Sequence, residues 1–311
     1  MAGSYSTRAG TTGILTKTNE DAVFIACLLQ EQGMPVRLVQ TNSGNFYLGD
    51  LDEIRYFNRA LDLSQDTHLI DDERWETAKR CLKREFGHAQ SWEICRNIIL
   101  NFEQVYSRKY HSDWTNYLFE SKLEDFYPVQ GEAIVVSTIH KAKGKEFDNV
   151  FLLLTNIESL SDEKKREVYV AITRAKQNLS IHTNGHYLSN IANGLAEYRI
   201  NSNTYPAPQS LCYTLTHRDL WLDFFIDSHC QAAINTLKSG MSLRLTEKGC
   251  TDFSNNEILR FSKKFKDILN ELIQKDYKLE KASVNFVVYW EKQEDKKEAK
   301  IVLPKVVFKK V

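Results

Sequence analysis

Arg174, in Glu167-Val-Tyr-Val-Ala-Ile-Thr-Arg-Ala-Lys176, is the residue whose type and setting bear most directly on chemistry. A guanidinium stays charged in a protein, and its planar fork matches phosphate oxygens. The segment reads as an otherwise apolar helix entering a strand at Asn178-Leu-Ser-Ile-His-Thr183. A lone arginine there is either an ion-pair partner, with Glu167 the candidate acid, or a phosphate contact. Some thirty residues upstream lies Val135-Val-Ser-Thr-Ile-His-Lys-Ala-Lys-Gly-Lys-Glu-Phe147, followed by the apolar run Val150-Phe-Leu-Leu-Leu154. Lys141, Lys143 and Gly144 fall in the loop after its strand, where ammonium groups and backbone N–H groups can meet phosphates. A structural histidine at 140 and a solvated lysine at 141 are the alternatives. The 311 residues contain no GxxxxGK[ST] phosphate loop, because Gly144-Lys145 is followed by Glu146.

The two segments, in this order and spacing, resemble motifs V and VI of the UvrD/Rep-like superfamily 1 DNA helicases. The spelling of motif V looks closest to UvrD-like C-terminal halves fused to other helicase modules, including RecQ-type chains. The resemblance implies that Arg174 is an arginine finger on the ATP γ-phosphate and that Glu146 meets the nucleotide ribose. It implies that Thr138 and His140 face the DNA backbone, with Lys141 and Lys143 beside them. A third segment resembles motif IV. Family members often carry Tyr-Arg-Thr-Asn there, whereas this chain reads Thr16-Lys17-Thr18-Asn19. The family's tyrosine stacks on a base and its arginine reaches the γ-phosphate. Thr16 cannot stack, and Lys17 is implied to keep the γ-phosphate contact, supplying charge as a point rather than a fork. By the same resemblance the chain is the second half of a motor. ATP and Mg2+ are its cofactors, with the Mg2+ ligands expected in an N-terminal half. Its partners are single-stranded or partly duplex DNA and that N-terminal motor domain. Alone it is expected to be inactive. The rival reading is a degenerate helicase-like domain that serves only as a protein- or DNA-interaction module.

These residues need an α/β scaffold. Residues 13–40 read strand, helix, strand, with Asn19 as the helix cap and Glu20 and Asp21 in its first turn. Residues 131–185 read as three more strands, near 133–137, 151–154 and 179–182, with a helix over about 162–176 capped by Ser161. The expected fold is a RecA-like parallel sheet, a P-loop NTPase-like second motor domain split into 1–40 and 131–200. A helical insertion subdomain occupies 41–130, with helical spacing near 50–64, 71–86, 91–109 and 112–126. Residues 201–208 read as a linker.

Beyond it, 205–311 reads as a small α+β or β-barrel-like accessory domain that should fold alone. It has helices at 217–228 and about 255–275 and strands at 283–290, 299–303 and 305–308. His217 and Asp219 fall on an apolar stripe and read as packing. Arg260, Lys263, Lys264, Lys266, Lys275, Lys278 and Lys281 form a candidate anion-facing strip.

Composition is that of an ordinary globular chain, with 42 % apolar and 26 % charged residues and zero formal net charge. No polycation argument for nucleic acid is available, but the charge is uneven. Residues 41–130 carry 11 basic and 16 acidic side chains, and 205–311 carry 18 and 14, so the C-terminal end is the more anion-friendly. Six cysteines without a CxxC pair argue against a zinc site or disulfide framework and point to a reducing cytoplasm. No apolar run reaches membrane-span length, so no membrane partner is expected.

Overall fold

A computed structural model describes residues 9–39, 47–62, 68–127, 134–155, 161–184, 206–226 and 228–311. Most of the expected linker at 201–208 lies outside them. Their strands, in chain order, are β1 (Thr12–Thr16), β2 (Val36–Val39), β3 (Leu69–Ile70), β4 (Lys109–Tyr110), β5 (Ile134–Thr138), β6 (Phe147–Leu154), β7 (Ala175–Thr183), β8 (Ser210–Thr214), β9 (Ser242–Leu245), β10 (Gly249–Thr251), β11 (Glu257–Arg260), β12 (Tyr277–Glu291) and β13 (Glu298–Lys310). The chain divides into two compact units, 1–41 with 129–211, and 42–128 with 212–311.

The first unit is a five-stranded sheet in the order β2-β5-β1-β6-β7, and every pairing is parallel. Parallel strands are covered on both faces and read as continuous apolar runs. Ile14 and Leu15 on β1 are both fully buried and, as neighbours on a strand, point to opposite faces. Ile14 packs with Ala22, Ile25, Ala26 and Leu29 of the helix Asn19–Glu31. Leu15 packs with Ile139, Ala142, Val168 and Ala171, from the turn Ile139–Ala142 and the helix Asp162–Ile172. This mixed α/β layering is compatible with a RecA-like fold.

Three local expectations change. Thr18, not Asn19, caps the first helix, its hydroxyl accepting from the Asp21 N–H at 3.1 Å. β2 does not lie beside β1, because β5 is inserted between them. The helix expected over about 162–176 ends at Ile172, and β7 begins at Ala175. Arg174 is therefore in the turn between helix and strand, not on the helix. The reason is the sheet: Phe147 N–H donates to the Arg174 carbonyl at 2.8 Å, and the β6–β7 ladder starts at the next residue.

The second unit combines the helical block with the C-terminal region. The helices Asp52–Leu61, Asp72–Phe86, Trp92–Val105 and His111–Glu120 enclose Phe57, Trp75, Phe102 and Trp114. These rings meet at centroid separations of 5.0–5.7 Å. The block is not wholly helical, since β3 pairs antiparallel with β4. The C-terminal region supplies a six-stranded sheet ordered β11-β10-β9-β12-β13-β8.

The expected separation of 41–130 from 205–311 is not what the contacts show. Leu51 bridges Val288 on β12, the Lys300 ammonium lies 2.8 Å from Asp52, and Arg55 pairs with Glu298 at 2.9 Å. Gln90 N–H donates to the Ser239 carbonyl at 3.0 Å. The expected 217–228 helix is instead two short 3-10 turns, His217–Asp219 and Leu222–Ile226. They are separated where Trp221 N–H bonds the Arg260 carbonyl at 2.9 Å and Leu220 bridges Phe261. The expected 255–275 helix starts only at Lys263, because 257–260 are strand β11. The short strands expected at 283–290, 299–303 and 305–308 fuse into the long β12–β13 hairpin, with Pro304 tolerated beside a register shift at Val284/Phe286.

Candidate functional site

The residues singled out by chemistry fall on two opposite edges of the parallel sheet. At the carboxyl edge, β1 ends in buried Thr16 and is followed by exposed Lys17. The Thr16 hydroxyl donates to the Thr18 carbonyl at 2.8 Å, which shapes the turn into the helix. β5 ends there in Thr138 and passes into the turn Ile139–Ala142. Lys141 Nζ lies 2.7 Å from Asn19 Oδ1 and 3.4 Å from the Val39 carbonyl. It is tied across the ends of β1 and β2 and is not the plain solvated lysine of the alternative reading. Thr138 is only 6 % exposed, so it supports this edge from below and does not form its surface. His140 is exposed, and its Nδ1 lies 3.5 Å from Glu167 Oε1 on the covering helix. Lys143 is exposed beside Gly144, which takes φ +82°.

Arg174, Lys145, Glu146 and Lys176 gather at the amino edge. The Arg174 guanidinium donates through Nε to the Val170 carbonyl at 2.9 Å, through Nη1 to the Lys145 carbonyl at 3.3 Å, and through Nη2 to Thr173 Oγ1 at 3.0 Å. All three acceptors are neutral. Among the described residues no carboxylate lies within ion-pair distance of it, and Glu167, the acid considered for that role, faces His140 instead. The fork is thus fixed in position with no ion-pair partner among the described residues, an arrangement suited to an anion. Glu146 is exposed and faces Lys176 at 3.6 Å. At the same edge the Thr11 amide and hydroxyl hold Asp148 at 2.8 Å, and these hydrogen bonds lower its pKa.

Lys17 and Arg174, which the motif resemblance sends to one phosphate, do not converge. Phe147 pairs with Ala175 at one end of β6, and Leu154 pairs with Thr183 at the other; Leu15 of β1 is level with Leu152. At roughly 3.3 Å per residue the two edges are about 25 Å apart, beyond the reach of both side chains to a single phosphate. Sequence reasoning missed Lys176 and the Lys145 carbonyl. The carbonyl leaves no trace in residue type, but Lys176 follows Arg174 by two, and period-two alternation on a strand was the signal available.

Residues 114–186 match the UvrD-like helicase C-terminal domain. No curated protein matches the chain. The matched span takes in Thr138, His140, Lys141, Lys143, Glu146 and Arg174 and leaves out Lys17.

Proposed function

We propose, from the UvrD-like helicase C-terminal domain that this chain carries, that it is the second half of an ATP-dependent DNA motor. The observation that carries the reading is Arg174, pinned by three neutral acceptors and, among the described residues, without a carboxylate in ion-pair distance. In this reading the amino edge meets the nucleotide. Arg174 neutralises charge developing on the transferred phosphoryl group, an effect worth roughly 10³–10⁵ in rate. Glu146 accepts from the ribose hydroxyls, and Lys176, 3.6 Å away, orients it. The carboxyl edge meets single-stranded DNA through His140 and Lys143. Lys141 positions that edge, and Lys17 adds charge there instead of at the γ-phosphate. In this reading the Mg2+ that accompanies ATP is held by the companion half, which also supplies the phosphate loop.

A helicase-like module without motor action is the second reading, favoured by the distance between Lys17 and Arg174. One experiment separates the two. Steady-state phosphate release is measured for this chain alone and for the chain joined to the companion half, with and without single-stranded DNA. The motor reading expects no turnover alone and DNA-stimulated turnover in the joined protein, abolished by Arg174→Ala. Turnover in the joined protein that ignores Arg174 overturns it.

A further inference from the structure

The second unit holds a cleft that the motor reading does not use. It encloses about 360 Å³ along edge strand β11, lined by Trp221, Asp223, Phe224, Asn256, Glu257 and Arg260 among others. Its central feature is a guanidinium laid over two rings. Arg260 Cζ is 5.5 Å from the Trp221 centroid and 5.0 Å from that of Phe224. Glu257 holds the fork at both ends, at 2.8 Å and 2.6 Å, so the guanidinium plane is fixed. Trp221 is nonetheless 48 % exposed, a large indole surface left to solvent beside a fixed π-cation plane. The arrangement recurs nearby: Arg244 lies 5.1 Å over Phe253, itself 63 % exposed, in the turn between β10 and β11.

The electrostatics select the occupant. Glu257 is committed to Arg260, and Asp223 to Lys292 at 2.7 Å, so neither offers a free charge to a cationic ligand. Two carboxylates at the cleft also repel a phosphate placed inside it. Lys248 is close enough to act electrostatically on Glu257, and Lys263 and Lys266, on the helix Lys263–Gln274 that follows β11, are exposed, in a region where 205–311 carries four more basic than acidic side chains. Flat aromatic and guanidinium faces inside, with cations outside, match a strand whose bases are unpaired and whose phosphates run along the rim.

We propose that this cleft is a nucleobase site, in which an unpaired base of a single-stranded nucleic acid stacks on Trp221 while its flanking phosphates pass Lys248, Lys263 and Lys266. Every residue invoked belongs to the second unit, so the proposal stands whether or not Arg174 acts as a finger.

The test uses the whole 311-residue chain. Binding of a fluorescein-labelled oligothymidylate and of an abasic strand of equal length is followed by anisotropy at two salt concentrations. Trp221→Ala should weaken oligothymidylate binding about 5- to 150-fold, the range of one stacked base. It should leave abasic binding and the salt slope unchanged, because an indole carries no charge. Trp221→Phe should retain most of the affinity. Lys263→Gln with Lys266→Gln should weaken both strands and flatten the salt slope. His140→Ala with Lys143→Ala, in the other unit, should lower both strands equally, so failure of that surface is read separately. The proposal is overturned if a folded Trp221→Ala protein, judged by its unchanged melting temperature, binds oligothymidylate like the wild type. Equal losses on the abasic strand overturn it too, as does Trp221-dependent binding of an arginine-rich peptide that leaves the oligonucleotide unaffected.

Discussion

At the residue scale, Arg174 makes two separable contributions. Its three hydrogen bonds hold the turn before β7, and in the proposed motor its charge meets the transferred phosphoryl group. Arg174→Ala in the joined protein should cut ATPase turnover by roughly 10³ or more while ATP affinity stays within about tenfold, since a finger acts on the transition state. Arg174→Lys keeps the charge and loses the fork, so it should rescue only in part. Comparing kcat with nucleotide affinity for both variants checks this.

Glu53 makes a second prediction, about pH. It is 2 % exposed; Oε1 accepts from the Ser91 hydroxyl, and among the described residues Oε2 has no hydrogen-bond partner. Asp52 adjoins it and adds like charge, and Cys95 is buried beside it. Lys300 Nζ sits 2.8 Å from Asp52 Oδ1 but out of hydrogen-bond alignment. Burial pushes the Glu53 pKa up from 4.5 to about 7. The folded state therefore keeps a proton that the unfolded chain gives up between those values, so this group favours folding at low pH and that advantage is lost as pH rises toward 7. The loss is on the order of 3 kcal/mol. The second unit should melt at a higher temperature near pH 5.5 than near pH 8 so far as Glu53 decides, and Glu53→Gln should flatten that difference. An unchanged pH slope in the Gln variant would count against the assignment.

At the element scale, the loop from Ile139 to Glu146 links the two edges of the sheet, and Gly144 is where it turns. Its φ of +82° suits glycine, and no atom lies within 4 Å of where a Cβ would stand. Gly144→Ala should therefore cost backbone strain alone, about 1–2 kcal/mol. It should also displace Lys143 and the Lys145 carbonyl that holds Arg174. Denaturant titration reads the first effect, and DNA-stimulated ATPase of the joined protein reads the second. Buried strands were legible because β1, β5 and β6 are apolar runs bounded by polar turns. The Ser161 cap was legible because its hydroxyl and the acids after it are local signals. Arg174 was placed on a helix because nothing in its neighbours' polarity marks where a strand partner takes over the backbone. Leu220, Trp221, Leu222, Phe224 and Phe225 repeat at helical spacing, yet Trp221 N–H bonds the Arg260 carbonyl and Leu220 bridges Phe261, some forty residues away. Periodicity cannot report a partner that distant.

At the scale of the whole molecule, the helical block and the C-terminal sheet share one interior. Leu48, Leu51 and Ile54 are fully buried in the unit that also contains Val288 and Ile301. A fragment of residues 205–311 was expected to fold alone; it would expose the sheet face beneath Leu51 and leave Lys300 without Asp52. It should show non-cooperative melting and poor solubility, and adding residues 47–127 should restore a cooperative transition. Cooperative melting of the short fragment at the temperature of the full chain would contradict this. The sequence could not show the shared interior, because alternation and helical period describe one segment's buried face and not what covers it.

That interior also imposes an order of events during synthesis. Leu51 leaves the ribosome more than two hundred residues before Val288, its bridge partner. At roughly 5–20 residues per second, the apolar face of the first helix of the block waits on the order of ten to fifty seconds for its cover. The first unit is interrupted in the same way, with β1 made long before β6 and β7. Neither unit can close early, so the nascent chain presents a long-lived sticky intermediate. Its yield in a cell should then depend on holdase chaperones and translation speed far more than its final stability would suggest.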